Sequence, residues 1–87
     1  MRPDEITPVI ARHVLYQYDC HGGYRPGSFT AHLITTIGAA DPANRYRLSL
    51  GFPGYVAAVN EIETPGGGVE TLQAIAAKLT EAPDGDS

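Results

Sequence analysis

The sequence predicts an all-α protein, a compact bundle of four to five short helices in which a Gly-rich linker acts as a hinge before the last helix. Two segments, Thr7-Pro8 and Asp41-Pro42, combine an oxygen-bearing side chain at the N-cap with proline at the first helical position. Apolar residues then recur three and four positions apart, which is the spacing of one helix face. No two segments form a pair of candidate strands, and an isolated strand leaves its backbone groups without partners.

The first predicted helix follows Thr7 and continues to about Asp19. Ile10 and Val14 keep helical spacing within it. Residues 13–18, HVLYQY, are also compatible with a strand, because they are β-branched and aromatic. We favour a helix because the sequence offers this segment no partner strand.

A tight turn at residues 25–28, Arg-Pro-Gly-Ser, precedes the second predicted helix. Proline suits the second position of the turn, and Gly27 is expected to take the positive φ of the third. Ser28 is the expected N-cap of the helix, and Gly38 marks its end. The core side of this helix is predicted to carry Phe29, Leu33, Ile34 and Ile37.

A sharp corner joins the third and fourth predicted helices. Gly51 is the expected left-handed residue after the third helix, Pro53 begins the fourth, and Phe52 is expected to fold onto the core. The core side of the third helix is predicted to carry Tyr46, Leu48 and Leu50. That of the fourth is predicted to carry Tyr55, Val56, Val59 and Ile62, with Ala57 and Ala58 allowing close approach.

By composition, the chain divides into a helical core domain at 1–63, a Gly-rich linker at 64–68, an amphipathic helix at 69–82 and a disordered tail at 83–87. The amphipathic helix has two possible partners. Its apolar stripe can pack on the core of the same chain or on another subunit, since a two-heptad stripe suits both. The stripe, which is the candidate for self-association, consists of Val69, Leu72, Ile75, Ala76 and Leu79.

Length and cysteine content narrow the class of protein. The 87 residues provide for one domain, and so small a core gains stability from self-association. The single Cys20 excludes an internal disulfide. No apolar run approaches the roughly 20 residues of a membrane helix. A signal peptide begins with basic residues followed by an apolar run, and the N-terminal residues do not have this pattern. We therefore expect a cytosolic protein.

The formal net charge of −4 argues against general affinity for nucleic acid. A small helix-turn-helix DNA-binding regulator is the first alternative, since a short turn joins the second and third helices and the later one offers Arg45 and Arg47 as reading residues. One observation argues against this alternative. When Gly38 is aligned with the turn glycine of known helix-turn-helix motifs, Ile34 falls where those motifs have a small residue, and Asn44 falls where they have a core residue. Nucleic acid is therefore not an expected partner.

Two further patterns suggest sites, and each has a simpler structural explanation. The loop from Gly22 to Ser28 leads into a helix start that can hold an anion with help from Arg25, but it lacks the lysine of a phosphate-binding loop. A second set of residues, three histidines, one cysteine and one aspartate, could bind a metal or act as nucleophile and base. It contains no closely spaced pair of metal ligands and no third group to orient a catalytic base. We predict no metal, no cofactor and no catalytic residue, and keep a Cys/His- or metal-dependent enzyme as the second alternative. This set is His13, Asp19, Cys20, His21 and His32.

Three parts of the chain are similar to segments of known proteins: PGSF at 26–29, ADPANR at 40–45 and RLSLGFPGYVAAV at 47–59. In these parts the chain resembles a group of small uncharacterised proteins encoded by actinobacterial phages, mycobacteriophages in particular. The resemblance implies no reaction, cofactor or catalytic residue. It implies an accessory protein in the host cytoplasm, since small phage proteins often bind host proteins to redirect or block them.

The leading hypothesis is therefore a non-enzymatic phage accessory protein that binds a host protein and associates with itself. Tyrosine and arginine are enriched among the residues that dominate binding energies. Four of them are expected to be exposed on a mildly basic surface. These candidate partner-binding residues are Tyr24, Arg25, Arg45 and Arg47.

Overall fold

The computed structural model describes residues 6–81, with the backbone alone described for residues 79–81. Within that part of the chain the protein consists of five α-helices and no strand, which confirms the predicted all-α bundle. None of these five helices has the length and apolar character that a membrane span requires. The helices are α1 (Pro8–Gln17), α2 (Ser28–Ala39), α3 (Pro42–Gly51), α4 (Pro53–Ile62) and α5 (Gly68–Glu81).

Local chemistry sets the limits of α1. The Thr7 hydroxyl accepts a hydrogen bond from an N–H of the first turn at 3.2 Å, so threonine caps the helix as predicted. Residues 13–17 are helical, so this segment is not a strand. The helix ends with Asp19 in a left-handed conformation, at φ 56°, and the N–H of Cys20 then bonds the Leu15 carbonyl at 2.8 Å.

α4 is the central helix, since it packs against each of the other four. Ala57 and Ala58 are buried on it, and their small side chains allow the close approach that the sequence predicts. Burial of each large aliphatic side chain in such a core contributes about 1.5–3 kcal/mol. The largest fully buried side chains are Val14, Leu15, Ile34, Ile37, Val56, Val59 and Leu72.

α3 differs from the prediction, because it turns a partly polar side toward the bundle. Tyr46 and Leu50, which we expected in the core, are 66% and 70% exposed, and no residue of α3 is buried. Leu48 packs against the core as predicted, whereas Arg45 faces inward in place of Tyr46 and Leu50, and both residues are only partly buried. The Arg45 guanidinium bonds carbonyl groups near the end of α2, and these bonds decide the rotation of α3.

Two phenylalanines that we expected in the core also lie at the surface. Phe29 is 66% exposed at the start of α2, and Phe52 is 36% exposed at the corner between α3 and α4. Their rings contact one another, with centroids 6.0 Å apart. Each ring covers part of the other, so this corner buries some aromatic surface outside the core.

The glycines at two helix ends also differ from the predictions. Gly27, not Ser28, is the N-cap of α2; its φ is −69°, and no side chain caps the helix. Gly51 belongs to α3 and is not left-handed. Phe52 alone joins α3 to α4, and its N–H continues the helical pattern by bonding the Leu48 carbonyl at 2.8 Å. The corner therefore needs no left-handed residue.

The Gly-rich segment 64–68 makes a defined connection between α4 and α5. Gly66 and Gly67 have φ values of 79° and 135°, which glycine adopts at little cost. Gly68 lies so close to α4 that a Cβ there would overlap the Glu61 carbonyl oxygen. α5 therefore begins at Gly68, one residue earlier than predicted.

The apolar stripe of α5 packs on its own chain. Leu72 is fully buried and Ala76 is nearly so, while Val69 and Ile75 are half-buried against the core. Of the two predicted alternatives, packing within the chain is the one observed. The Leu79 side chain and the predicted tail at 83–87 lie outside the described part of the protein.

Candidate functional site

The four predicted partner-binding residues do not form one surface. Tyr24 and Arg25 are exposed in the loop between α1 and α2, whereas Arg47 is exposed on α3. Arg45 was wrongly predicted to be exposed, because its guanidinium bonds inside the chain. The four predicted residues therefore lie in three places: Tyr24 and Arg25 on one exposed surface, Arg47 on another, and Arg45 in an internal hydrogen-bond network.

Tyr24 is held in a fixed position at the surface. Its N–H bonds the Arg12 carbonyl on α1 at 3.2 Å. The Arg12 guanidinium carbon lies 5.8 Å from the centre of the Tyr24 ring, and the His13 ring meets it edge-on with centroids 5.4 Å apart. Arg12 is itself fixed by Nε, which donates to the Ala76 carbonyl on α5 at 3.2 Å. The Tyr24 residue remains 43% exposed, so it presents an ordered aromatic ring to solvent.

Gly23 explains how the loop reaches α1. It lies against the helix backbone, where an added Cβ would overlap the Tyr16 nitrogen and lie 2.7 Å from the Arg12 carbonyl oxygen. Only glycine allows this approach. Gly23 therefore presses the loop onto the helix and fixes the backbone that carries Tyr24.

His13 and Tyr55 form a partly buried polar pair beside Tyr24. The His13 Nδ1 and the Tyr55 hydroxyl oxygen are 3.0 Å apart, and the two rings lie within 5° of parallel. The Thr30 side chain also lies close to the Tyr55 hydroxyl. Burial lowers the pKa of His13 and raises the pKa of Tyr55, so both rings are predominantly neutral at pH 7.

A shallow groove lies between α1 and the start of α2. Tyr16, Arg25 and His32 line it, and its volume is about 610 Å³. Tyr16 is 44% exposed, so the groove and the Tyr24 loop together present two aromatic rings and Arg25, with Arg12 half-buried on α1 beside the Tyr24 ring. We call Arg12, Tyr16, Tyr24 and Arg25 the aromatic–basic surface.

Arg45 is the centre of a hydrogen-bond network near the end of α2. Its Nε donates to the Ile37 carbonyl at 2.9 Å, which also accepts the Ala40 N–H at 3.1 Å, and its Nη2 donates to the Gly38 carbonyl at 3.2 Å. Both carbonyls lie in the last turn of α2, where the helix offers no further turn of N–H groups. Its Nη1 donates to the Asn60 side-chain oxygen at 2.7 Å. Glu63 adds an ion pair, with 2.9 Å between the Arg45 Nη1 and the Glu63 Oε1.

Tyr18 connects α1 to the same network. Its hydroxyl donates to the Glu63 Oε2 at 3.0 Å. Burial and this hydrogen bond raise the pKa of Tyr18 to about 12. The hydrogen bond from Arg45 lowers the pKa of the Glu63 carboxyl, and the same bond raises the pKa of Arg45. The network links α1, α2, α3 and the end of α4, and it engages the Arg45 guanidinium within the chain.

The outward side of α3 is the second exposed surface. Ala43, Tyr46, Arg47 and Leu50 are all exposed. They follow one another at positions i, i+3, i+4 and i+7, so they share one face of the helix. The Arg47 Nη1 donates to the Asn44 side-chain oxygen at 2.9 Å, one turn back on the same helix. We call Ala43, Tyr46, Arg47 and Leu50 the α3 outer face.

The DNA-binding alternative has one of its two reading residues inside the network. Arg45 contacts α2 and α4, so it cannot reach a base edge while those bonds stand. Arg47 remains exposed on α3. This alternative therefore has a single arginine available on the helix that would read DNA.

The candidate metal-ligand and nucleophilic residues are not brought together. His13 pairs with Tyr55, and the Cys20 Sγ lies 3.5 Å from the Tyr18 carbonyl oxygen. Among the side chains that the structure describes, at residues 6–78, no three of His, Cys, Asp or Glu are arranged to hold a metal ion. The other candidates, all exposed, are Asp19, His21 and His32.

Arg12 and Asn60 organise these sites, yet sequence reasoning did not identify either residue. Arg12 bonds a carbonyl 64 positions along the chain, and Asn60 bonds a side chain 15 positions away. Helical periodicity covers only neighbours three and four positions apart, so it gives no signal for such partners. The one signal in the sequence was that each of the two is a polar residue beside the apolar face of its helix.

Comparison of the chain with models of protein families gave no match. Comparison with curated proteins and with solved structures gave no match either.

Proposed function

We propose that the chain is a non-enzymatic phage accessory protein that binds a host protein and associates with itself in the host cytoplasm. One observation carries the proposal: Tyr24 is exposed, yet three contacts with α1 hold it in place. A fixed, solvent-facing aromatic ring beside arginines is typical of the residues that dominate the energy of protein–protein binding.

Pre-organisation favours this use of Tyr24. A side chain that is ordered before binding avoids the cost of about 0.5–1.5 kcal/mol for immobilising it at an interface. The Arg12 guanidinium and the His13 ring fix the Tyr24 ring, and Gly23 fixes its backbone. The exposed side of the ring is then ready to contact a partner.

The charges near Tyr24 indicate the character of that partner. Arg12 and Arg25 are the charged members of the aromatic–basic surface. Among the described residues, the groove beside it is lined by Arg25 and His32 and by no carboxylate. We therefore expect the host protein to present an apolar pocket for a ring, with acidic groups at its edge.

The phage setting and the self-association are supported separately. The phage setting rests on the resemblance of residues 22–59 to proteins encoded by actinobacterial phages. Self-association rests on the size of the domain, since a core from 87 residues gains stability from a second copy. The α5 stripe packs within the chain, so the self-association that we propose uses another face.

The test is tagged expression in an actinobacterial host, identification of the co-purifying protein, and measurement of its binding to the purified chain. Tyr24→Ala is expected to weaken that binding by about thirtyfold or more, the effect of losing a hot-spot residue. Phe29→Ala removes another exposed ring, outside the aromatic–basic surface, and is expected to bind as wild type. A partner that binds the Tyr24→Ala variant at full strength would refute the surface, and the lack of any partner would refute the function.

A further inference from the structure

We propose that the cleft between α3 and α4 is a binding site for a small uncharged aromatic molecule that carries a carbonyl group. The proposal goes beyond host binding, because it concerns another part of the molecule and does not depend on the aromatic–basic surface. We call this cleft the α3–α4 groove. Its main lining residues are Pro42, Arg45 and Tyr46 on α3 and Val56, Asn60 and Glu63 on α4.

The α3–α4 groove has the size and composition of a small-molecule site. Its volume is about 660 Å³, within the range of roughly 300–1,000 Å³ that is usual for such sites. Pro42 and Val56 supply apolar surface, while Arg45, Asn60 and Glu63 supply polar groups. Small-molecule sites combine apolar walls with a few polar groups that fix the orientation of the ligand. The state of each polar group therefore indicates which ligand fits.

Arg45 has no N–H group left for a ligand. A guanidinium has five N–H groups. The Arg45 Nε contacts the Ile37 carbonyl, and each Nη contacts one oxygen of the Glu63 carboxylate. The two remaining contacts are from Nη2 to the Gly38 carbonyl and from Nη1 to the Asn60 side chain. A ligand that binds through Arg45 would have to displace one of these partners.

The α3–α4 groove favours an uncharged ligand. Among the described residues, Arg45 and Glu63 are the charged ones that line it, and the Arg45 Nη1 lies 2.9 Å from the Glu63 Oε1. The Tyr18 hydroxyl donates to the other oxygen of Glu63 at 3.0 Å. An anion would compete with Glu63 for Arg45, and a cation would compete with Arg45 for Glu63. Separating such a pair is unfavourable, so an uncharged ligand fits best.

Asn60 supplies a polar group that is still available. Its side-chain oxygen accepts a hydrogen bond from the Arg45 Nη1 at 2.7 Å. Because a guanidinium only donates, the amide oxygen must face Arg45, and the NH₂ group is left to the groove. Asn60 is partly buried, and its NH₂ group has no partner among the described residues. This donor is held in place before a ligand arrives, and a carbonyl oxygen is the acceptor that suits it.

Tyr46 supplies an aromatic wall. It lines the α3–α4 groove and is 66% exposed, so its ring is open to a ligand. Aromatic rings attract one another when they stack with an offset or meet edge to face. A flat ring in the groove would contact Tyr46 while its carbonyl group reaches Asn60. The ligand that matches both residues is an uncharged aromatic ring with a carbonyl group.

Three compounds of similar planar shape test these requirements. Benzamide is uncharged and has a carbonyl group, benzoate is an anion, and benzamidine is a cation without a carbonyl group. In NMR titrations of the isotope-labelled protein, benzamide is expected to shift signals of the α3–α4 groove, including the Asn60 NH₂, with a dissociation constant on the order of 1–10 mM. Benzoate and benzamidine are expected to bind at least about tenfold more weakly. The lack of a saturable shift in the groove, or equal binding of the three compounds, overturns the proposal.

Asn60→Asp tests the amide donor. The carboxylate keeps an oxygen for Arg45 and replaces the NH₂ group by a second acceptor, which repels a carbonyl oxygen. Benzamide binding is therefore expected to weaken at least about tenfold. Asn44→Asp makes the same chemical change at an exposed position of α3 outside the groove, and it is expected to bind benzamide as wild type. Circular dichroism checks that both variants keep their helices, and unchanged binding in a folded Asn60→Asp variant overturns the proposal.

Two Tyr46 variants test the aromatic wall. Tyr46→Ala removes the ring and is expected to weaken benzamide binding by about two- to tenfold. Tyr46→Phe keeps the ring and is expected to bind as wild type. Because Tyr46 is exposed, this pair also tests the groove where Asn60→Asp does not fold. Equal binding of benzamide by the two Tyr46 variants contradicts the proposal.

Two further outcomes would assign the ligand or the groove differently. If the groove signals of the wild type shift on dilution without any ligand, a second copy of the chain fills the groove, and this overturns the small-molecule site. If the benzamide shifts centre on Tyr24 instead of Asn60, the ligand binds the aromatic–basic surface, and this overturns it too. The Tyr24→Ala measurement decides host binding separately, so failure of one proposal leaves the other to its own test.

Discussion

The Arg45 guanidinium donates a hydrogen bond to the Asn60 side chain at 2.7 Å, and this contact fastens α3 to α4. α3 contributes no buried residue, so burial of apolar side chains alone does not account for its position. Hydrogen bonds to a charged group contribute about 1.5–3 kcal/mol each, a strength similar to that of a buried aliphatic side chain. Arg45 therefore does for α3 what buried side chains do for the other helices.

Arg45→Ala is expected to lower the free energy of unfolding by about 2–4 kcal/mol. The variant loses the donors to the last carbonyls of α2 and leaves Glu63 without its cation. Urea unfolding followed by circular dichroism, at concentrations where the chain is monomeric, measures the loss. Arg47→Ala, on the exposed side of the same helix, is the control and is expected to change stability by less than about 0.5 kcal/mol. Equal losses in the two variants would mean that the network does not hold α3.

Tyr18 is expected to lose its proton at a higher pH than an ordinary tyrosine, at about 12. Burial and the hydrogen bond to Glu63 raise its folded-state pKa above the usual value of about 10. The resulting stability is therefore present below pH 10 and is lost as the pH rises through about 12. Ultraviolet absorbance of tyrosinate, measured as the pH is raised, is expected to show a last ionisation step from Tyr18. The Tyr18→Phe variant is expected to lack that step. An unchanged last step in that variant would contradict this prediction.

Acidification is expected to destabilise the fold through His13. Burial lowers its folded-state pKa below the ordinary value of 6.5, so the unfolded chain binds the proton more tightly. The contribution is complete above pH 6.5 and is lost as the pH falls through the lower folded pKa. Urea unfolding of wild type and His13→Gln at several pH values between 7.5 and 5 measures it. The wild type is expected to lose more stability over this range, and parallel pH profiles would show that His13 is not responsible.

Two glycine substitutions are expected to have opposite effects on stability. Gly23→Ala places a Cβ against the α1 backbone, including the Arg12 carbonyl oxygen at 2.7 Å, and is expected to cost about 1–3 kcal/mol. Gly51→Ala adds a methyl group in open space within α3 and is expected to stabilise by about 0.4–1 kcal/mol. Thermal unfolding of both variants measures the difference. A neutral Gly23→Ala would mean that the loop does not touch α1 and that Tyr24 lacks its fixed backbone.

The caps and core of the bundle were predictable because they depend on near neighbours. The Asp41 carboxylate accepts the Asn44 N–H at 2.8 Å, as its place before Pro42 suggests. Leu33 and Ile37, four positions apart, are both buried on α2. These features follow from contacts within one helical turn or from one continuous apolar stripe.

The candidate site was only partly predictable. The exposure of Tyr24 and Arg25 followed from their place in a Gly/Pro-rich loop. The contacts that order Tyr24 did not follow, because Arg12 and His13 lie on α1, beyond the range of helical spacing from Tyr24. Exposure is a property of local composition, whereas a fixed position depends on partners that only the folded chain brings near.

The sequence by itself determined an all-α bundle of four to five helices, and it placed the limits of the five helices in the described part of the chain to within a residue or two. The signals that do so, N-caps, prolines and apolar spacing, act between residues at most one or two turns apart. Only the tertiary structure decided which side of α3 faces inward. Arg45 finds its partners on α2 and α4, up to 18 residues away, and its charge-assisted bonds outweigh the burial of Tyr46 and Leu50. That choice leaves the large side chains of Tyr46 and Leu50 exposed to solvent.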